Sequence, residues 1–213
     1  MRVSASNWLQ GLLVLILIAL TIWGFVALPL DEALPIHWDI AGTPDRFAPA
    51  PMALLLAPAL TAAIIAIFWV LRRVSTPQQR EARVHVEDAI VVTMTALAIV
   101  LQSAIILIGL GMDVDIIRVI ALALAAVFVV LGNVLPKSRR NALAGIRIPP
   151  ALADDANWQA TQRFGGWLYV VAGLSLGILA FMTNNQVVLL VSVIAAAVIP
   201  ALAATVFSYR YTR

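Results

Sequence analysis

The chain has 213 residues, of which 62% are hydrophobic and only 12% charged, with a mean hydropathy of +0.98. A soluble domain carries about 25% charged residues and has enough polar surface to cover one core; this chain does not. Its net charge of +3 sits in short connections rather than along one face, which excludes a nucleic-acid groove. The absence of cysteine excludes disulfides, zinc–thiolate clusters and thiol catalysis.

Six apolar stretches, uncharged but for Arg118 at the start of the fourth, follow in chain order, over residues 8–29, 52–71, 89–111, 117–135, 165–182 and 187–208. Each is long enough, at about 1.5 Å per residue, to cross a hydrocarbon core of about 30 Å. None shows a period of two, so the expected fold is all-α: a polytopic membrane protein of six transmembrane helices. The first stretch, Trp8 to Leu30, exceeds the about 7–15 residues of a signal-peptide core and is expected to be retained. Two domains are expected. Residues 1–72 form an N-terminal helical hairpin around the loop LPIHWDIAGTPDR, and residues 86–213 form a four-helix unit with a polar loop over 136–164.

Basic residues fix an expected orientation. With the amino terminus inside, the inner side receives Arg2, Arg72, Arg73, Arg80, Arg83, Lys137, Arg139, Arg140, Arg147, Arg163, Arg210 and Arg213. Only Arg46 and Arg118 fall outside. This asymmetry is expected to place both termini on the cytoplasmic side of the membrane. The outer connections are acidic, with Asp31, Glu32, Asp39 and Asp45 in the first and Asp113 and Asp115 in the second. Asp115 and Arg118 are spaced to pair.

Residues at span ends carry further expectations. Arg72 and Arg73 suit the negative carboxyl end of the second span's dipole, and Glu87 and Asp88 the positive start of the third. Trp8, Trp38, Trp158, Trp167 and Tyr209 are placed for an interfacial aromatic belt. Gly173 and Gly177 form a GxxxG spacing for close helix packing, and Pro58 and Pro200 are expected to kink their spans.

Chemistry inside the membrane is sparse. No ionisable residue falls near the middle of a span, and Thr93, Thr95, Gln102 and Ser103 read first as interhelical hydrogen-bonding groups. HExxH, GxSxG and GxxxxGK[ST] are all missing, so no enzyme, cofactor or nucleotide site is expected. His37, Asp39 and Asp45 make a poor metal set by spacing. Two alternatives stay open: a small channel or transporter using Gln102, Thr93 and Asn133, and an envelope enzyme acting through His37 and Asp45.

Two polar segments carry the candidate sites. Outside, His37, Trp38, Gly42 and Asp45 sit in a loop punctuated by Pro35, Gly42 and Pro44, which marks a structured turn suited to ligand sensing. Inside, Pro136 ends the fourth span, and Asn141, Gly145, Pro149 and Pro150 prevent a continuous helix. Asp154 or Asp155 then caps a helix into the fifth span. The basic residues of this segment suit either an anionic lipid surface or a protein partner.

The runs GNVLPKSRRNALAGIR and NWQATQRFGGW resemble the hallmark of the SdpI family of bacterial membrane proteins. The matching positions are Asn133, Leu135, Pro136, Lys137, Arg139, Asn141, Gly145, Ile146, Arg147, Trp158, Thr161, Arg163, Gly165 and Gly166. The outer loop resembles a small accessory domain of unknown function. The chain departs from the pattern at Ile148, Pro150 and Ala151, and at Gln162, where the family usually has His. The resemblance implies immunity to a secreted peptide toxin sensed outside through His37, Trp38, Gly42 and Asp45. It also implies recruitment of a cytoplasmic winged-helix repressor inside, through Lys137, Arg139, Asn141, Gly145, Arg147, Trp158, Thr161 and Arg163.

Overall fold

A computed structural model describes residues 5–211; Arg2 and Arg213, counted above in the charge asymmetry, lie outside them. Helix α1 (Ala5–Ala27) leads into a hairpin of β1 (Ala33–Trp38) and β2 (Pro44–Pro49). Then come α2 (Ala50–Val74), α3 (Pro77–Gly109), α4 (Ile116–Val134), a short α5 (Pro149–Ala153), α6 (Asp155–Met182) and α7 (Gln186–Arg210). All but α5 are long and apolar enough to cross a membrane, which makes the chain a multi-pass membrane protein with lipid around it.

Polar side chains set the helix starts. Thr76 and Gln79 form a reciprocal capping box ahead of α3, with Pro77 at its first position. Asp115, Asp154 and Asn185 cap α4, α6 and α7 by accepting from the backbone N–H three residues on. Asp115 also pairs with Arg118 at 3.3 Å, as its spacing predicts. α2 and α7 run on through Pro58 and Pro200.

The structure adds one element to the expected fold and corrects two expectations. The all-α reading holds for the bundle, but the first connection is an antiparallel hairpin, with Ala33 opposite Pro49 and Trp38 opposite Pro44. α3 begins at Pro77, twelve residues before its apolar stretch, so its 33 residues reach about 50 Å. Glu87 and Asp88 therefore lie about three turns into it and do not meet its N-terminal dipole. Finally, Trp158 is fully buried rather than interfacial, whereas Trp8, Trp167 and Tyr209 are exposed.

Small residues bring α4 and α6 together. A Cβ on Gly132 would stand 2.5 Å from the carbonyl oxygen of Gly166, and one on Gly173 would stand 2.7 Å from that of Ala125. Gly177 makes only ordinary contact with Ala125. The close seam thus runs through Gly132, Gly166 and Gly173, and only half of the GxxxG pair shares it. One apolar core joins α3, α4, α6 and α7; another joins α1, the hairpin, α2 and α3. Trp38 packs against both.

Candidate functional site

The hairpin stands at one end of the bundle. Asp39 builds its turn: its Oδ1 accepts from the N–H groups of Ala41 and Thr43, and Gly42 supplies the required φ of +81°. His37 Nδ1 and Asp45 Oδ1 are 2.6 Å apart on neighbouring strands, both about half exposed. A Cβ on Gly42 would come within 3.4 Å of Ile117 and 3.7 Å of Gln186, so the turn lies close to the starts of α4 and α7. Gln186 in turn donates to Asp115, and Arg118 to Asn184. The structure therefore brings His37, Trp38, Gly42 and Asp45 into one unit. Asp39 is committed to the turn, and among the described residues no three His, Asp or Glu side chains converge as a metal site.

The opposite end holds the polar loop after α4. Pro136 turns the chain through one 3-10 turn, and Ser138, buried, offers its carbonyl to Trp158 Nε1 and Gln159 Nε2, both at 3.0 Å. Asn141 folds the loop on itself. Its Oδ1 accepts from the N–H of Leu143 and Ala144, and its Nδ2 donates to the carbonyls of Arg139 and Ala144. Gly145, at φ +108°, passes the chain over Trp158, whose ring a Cβ would approach to 3.1 Å. Gln162 then clasps Ile146, and Arg147 donates to the carbonyl of Ala142 at 2.6 Å.

Below this loop, Asn157 joins α6 to α7 by donating to the Ser208 carbonyl and accepting from Ser208 and Thr161. Trp158, Thr161 and Gln162 expose no surface. These residues reach a partner only through the loop they hold. Lys137, Arg139, Arg147 and Arg163 are exposed, and with Arg140 they give the loop end a basic surface. Arg140 is tied to Asp155 at 2.6 Å and to the Leu152 carbonyl.

Sequence reasoning overlooked a buried charge cluster. Arg83 and Glu87, 2% and 1% exposed, pair across one turn of α3. Arg83 also donates to Ser75 Oγ at 2.7 Å and to the Leu71 carbonyl. Arg72 reaches across from α2 to Glu87 at 3.1 Å and Asp88 at 2.5 Å. The cluster welds the α2–α3 corner, and the i, i+4 spacing of Arg83 and Glu87 was its visible signal. Beside it, the N–H of Arg139 donates to the Ala82 carbonyl at 2.9 Å. α3 is thereby attached to the loop at one end, while its Ile105 and Ile106 pack with Leu34 beneath the hairpin at the other.

A multi-pass bundle with a hairpin at one end and a side-chain-built basic loop at the other defines the class of membrane protein. Residues 137–207 match the SdpI/YfhL protein family, and residues 12–62 match a domain of unknown function (DUF1648). The chain is also similar to "Immunity protein SdpI" of Bacillus subtilis (strain 168), with 26% identity over 182 residues that cover 85% of this chain and 84% of that relative. The resemblance carried by the Asn133–Arg147 and Trp158–Gly166 motifs is borne out by these matches. No solved structure matches the chain.

Proposed function

We propose that this chain is an immunity protein of the bacterial cytoplasmic membrane, giving resistance to a secreted peptide toxin by binding rather than by catalysis. Its hairpin faces outward and senses the peptide. Its basic loop faces the cytoplasm and recruits a winged-helix repressor. The orientation follows from charge: among the described basic residues, only Arg46 and Arg118 lie at the hairpin end. The name of the Bacillus relative supports the immunity role.

The observation that carries this reading is α3, a single helix whose first turns hold the loop through Ala82 and whose last turns underpin the hairpin. A receptor needs a ligand that favours one conformation and an inner surface that differs between conformations. One continuous rod touching both surfaces meets the geometric part of that need. A pore gains no comparable support. Gln102 donates to the Leu54 carbonyl and Thr21, Thr93 bonds back to its own helix, and Asn133 is exposed.

The test uses toxin-sensitive cells with the membrane level of the protein monitored. Joint reversal to Glu at Lys137, Arg139 and Arg147 is expected to abolish repressor recruitment. Joint replacement of His37, Trp38 and Asp45 by Ala is expected to abolish protection. Unchanged recruitment and unchanged protection would remove the respective roles.

A further inference from the structure

Between α2, α3 and α4 lies a groove of about 470 Å³, roofed at the hairpin end by Ile36, His37 and Trp38. Its floor includes Ala98 and Ile117, both buried, while Leu56 and Leu60 on one lip are 40% and 57% exposed. The groove thus opens sideways between apolar helices, onto the zone that lipid occupies. Its volume lies within the about 300–1,000 Å³ typical of ligand sites.

Two observations select the occupant. The first is charge at the hairpin end of the bundle, where Asp31, Glu32 and Asp113 outnumber Arg46 even with Asp115 paired to Arg118, Asp45 bonded to His37 and Asp39 spent on the turn. That field opposes an anionic phospholipid head and attracts a cation. The second is Thr61, which lines the groove at 5% exposure and makes no hydrogen bond among the described residues. It lies about 16 Å along α2 from Ala50, counted at about 1.5 Å per residue. At that depth an acyl chain brings no partner for a hydroxyl, which could otherwise only turn back onto its own helix as Thr93 does. A peptide side chain can supply one.

We infer that this groove holds the apolar face of a cationic amphipathic peptide, which enters sideways from the lipid with its basic residues toward the acidic hairpin end of the bundle and a polar side chain opposite Thr61. The inference rests on the proposed peptide sensing and adds where and how the peptide is held. His37 and Trp38 then serve two surfaces at once, the hairpin's own face and the roof of the groove. Displacing Trp38 would disturb both cores that it packs against.

The experiment uses the full chain in phosphatidylcholine nanodiscs, with a photoreactive phenylalanine placed singly at Leu60 in the groove, Ile40 at the hairpin tip or Leu202 on the lipid face of α7. The probe is a labelled Leu/Lys amphipathic peptide of about 18 residues, with its Leu/Glu counterpart as control. The Lys peptide is expected to label at Leu60 about tenfold more than at Leu202 and about tenfold more than the Glu peptide does. Filling the groove with Ala57→Phe is expected to remove the Leu60 signal, and Thr61→Val to weaken it several-fold. Should Ala57→Phe fail to assemble, Ile64→Trp provides a second filled groove.

Equal labelling at Leu60 and Leu202, or by the two peptides, overturns the inference. So does labelling of a phospholipid at Leu60 that survives excess Lys peptide. Labelling at Ile40 without Leu60 overturns the groove and leaves the hairpin's sensing role standing. Labelling at neither position overturns both.

Discussion

The side-chain amide of Gln162 closes on both backbone groups of Ile146, accepting its N–H at 3.0 Å and donating to its carbonyl at 2.9 Å. The two residues are sixteen apart in sequence, and Gln162 is fully buried in α6. This clasp fixes the end of the basic loop to α6, so the helix shares with Asn141 in holding the loop's shape.

Gln162→Leu should release that end. Ile146 keeps its backbone polar groups but loses their partner, at a cost of about 1–3 kcal/mol. Thermal unfolding in detergent should shift downward, and trypsin should cut after the exposed Arg147 sooner than in the parent protein. An unchanged cleavage rate would mean that Asn141 alone maintains the loop. Asn141→Ala, which removes four hydrogen bonds to the loop backbone, is expected to speed the same cleavage.

The buried pair at the α2–α3 corner gives a second prediction. Arg83→Met removes one of the two guanidinium partners of the buried Glu87 and leaves it Arg72, so the loss should stay below the about 3–5 kcal/mol of a fully broken buried pair. Removing both charges, as Arg83→Met with Glu87→Leu, should cost much less than the two single losses combined. Melting temperatures of the two singles and the double check this, and simple additivity would show that the charges do not act as a pair.

Hydropathy made the six spans legible because lipid-facing and core-facing positions are both apolar. It hid what lies at their ends. Glu87 and Asp88 read as helix-start residues because the apolar stretch begins just after them, whereas the helix had already made three turns. The hairpin escaped notice because Pro35, Pro44 and Pro49 argue against strands, and its burial shows no clean alternation. Trp158 near a span end suggested a headgroup anchor; only the returning loop that supplies the Ser138 carbonyl reveals a core position. At the loop itself, Asn141 and Gly145 were legible as breakers, but not Asn141's four bonds or the clasp by Gln162, which depend on contacts between separate segments.

The α4–α6 seam yields a third prediction. A side chain at Gly132 meets backbone, the Gly166 carbonyl and the Val170 N–H, and backbone cannot rotate aside. Gly132→Val should therefore separate the helices or prevent assembly, at a cost of about 1–3 kcal/mol or more. Gly177→Ala, with 3.7 Å to its nearest neighbour, should be tolerated. Folded yield by size-exclusion chromatography separates the two cases, and equal loss at both glycines would contradict the seam as drawn.

The fourth prediction concerns which way the bundle faces. Because the chain has no cysteine, single cysteines can be introduced at Ile40 in the hairpin turn and at Leu143 in the basic loop, both exposed. With ten described basic residues at the loop end and Arg46 and Arg118 at the other, insertion should leave the loop in the cytoplasm. A membrane-impermeant maleimide should then label Ile40→Cys in intact spheroplasts and reach Leu143→Cys only after permeabilisation. The reverse pattern would place the basic surface outside, where no cytoplasmic protein meets it. Labelling of both positions in intact cells would imply mixed insertion. Adding Lys residues beside Arg46 tests the same cause from the other side, since reducing the charge asymmetry should increase the fraction of reversed molecules.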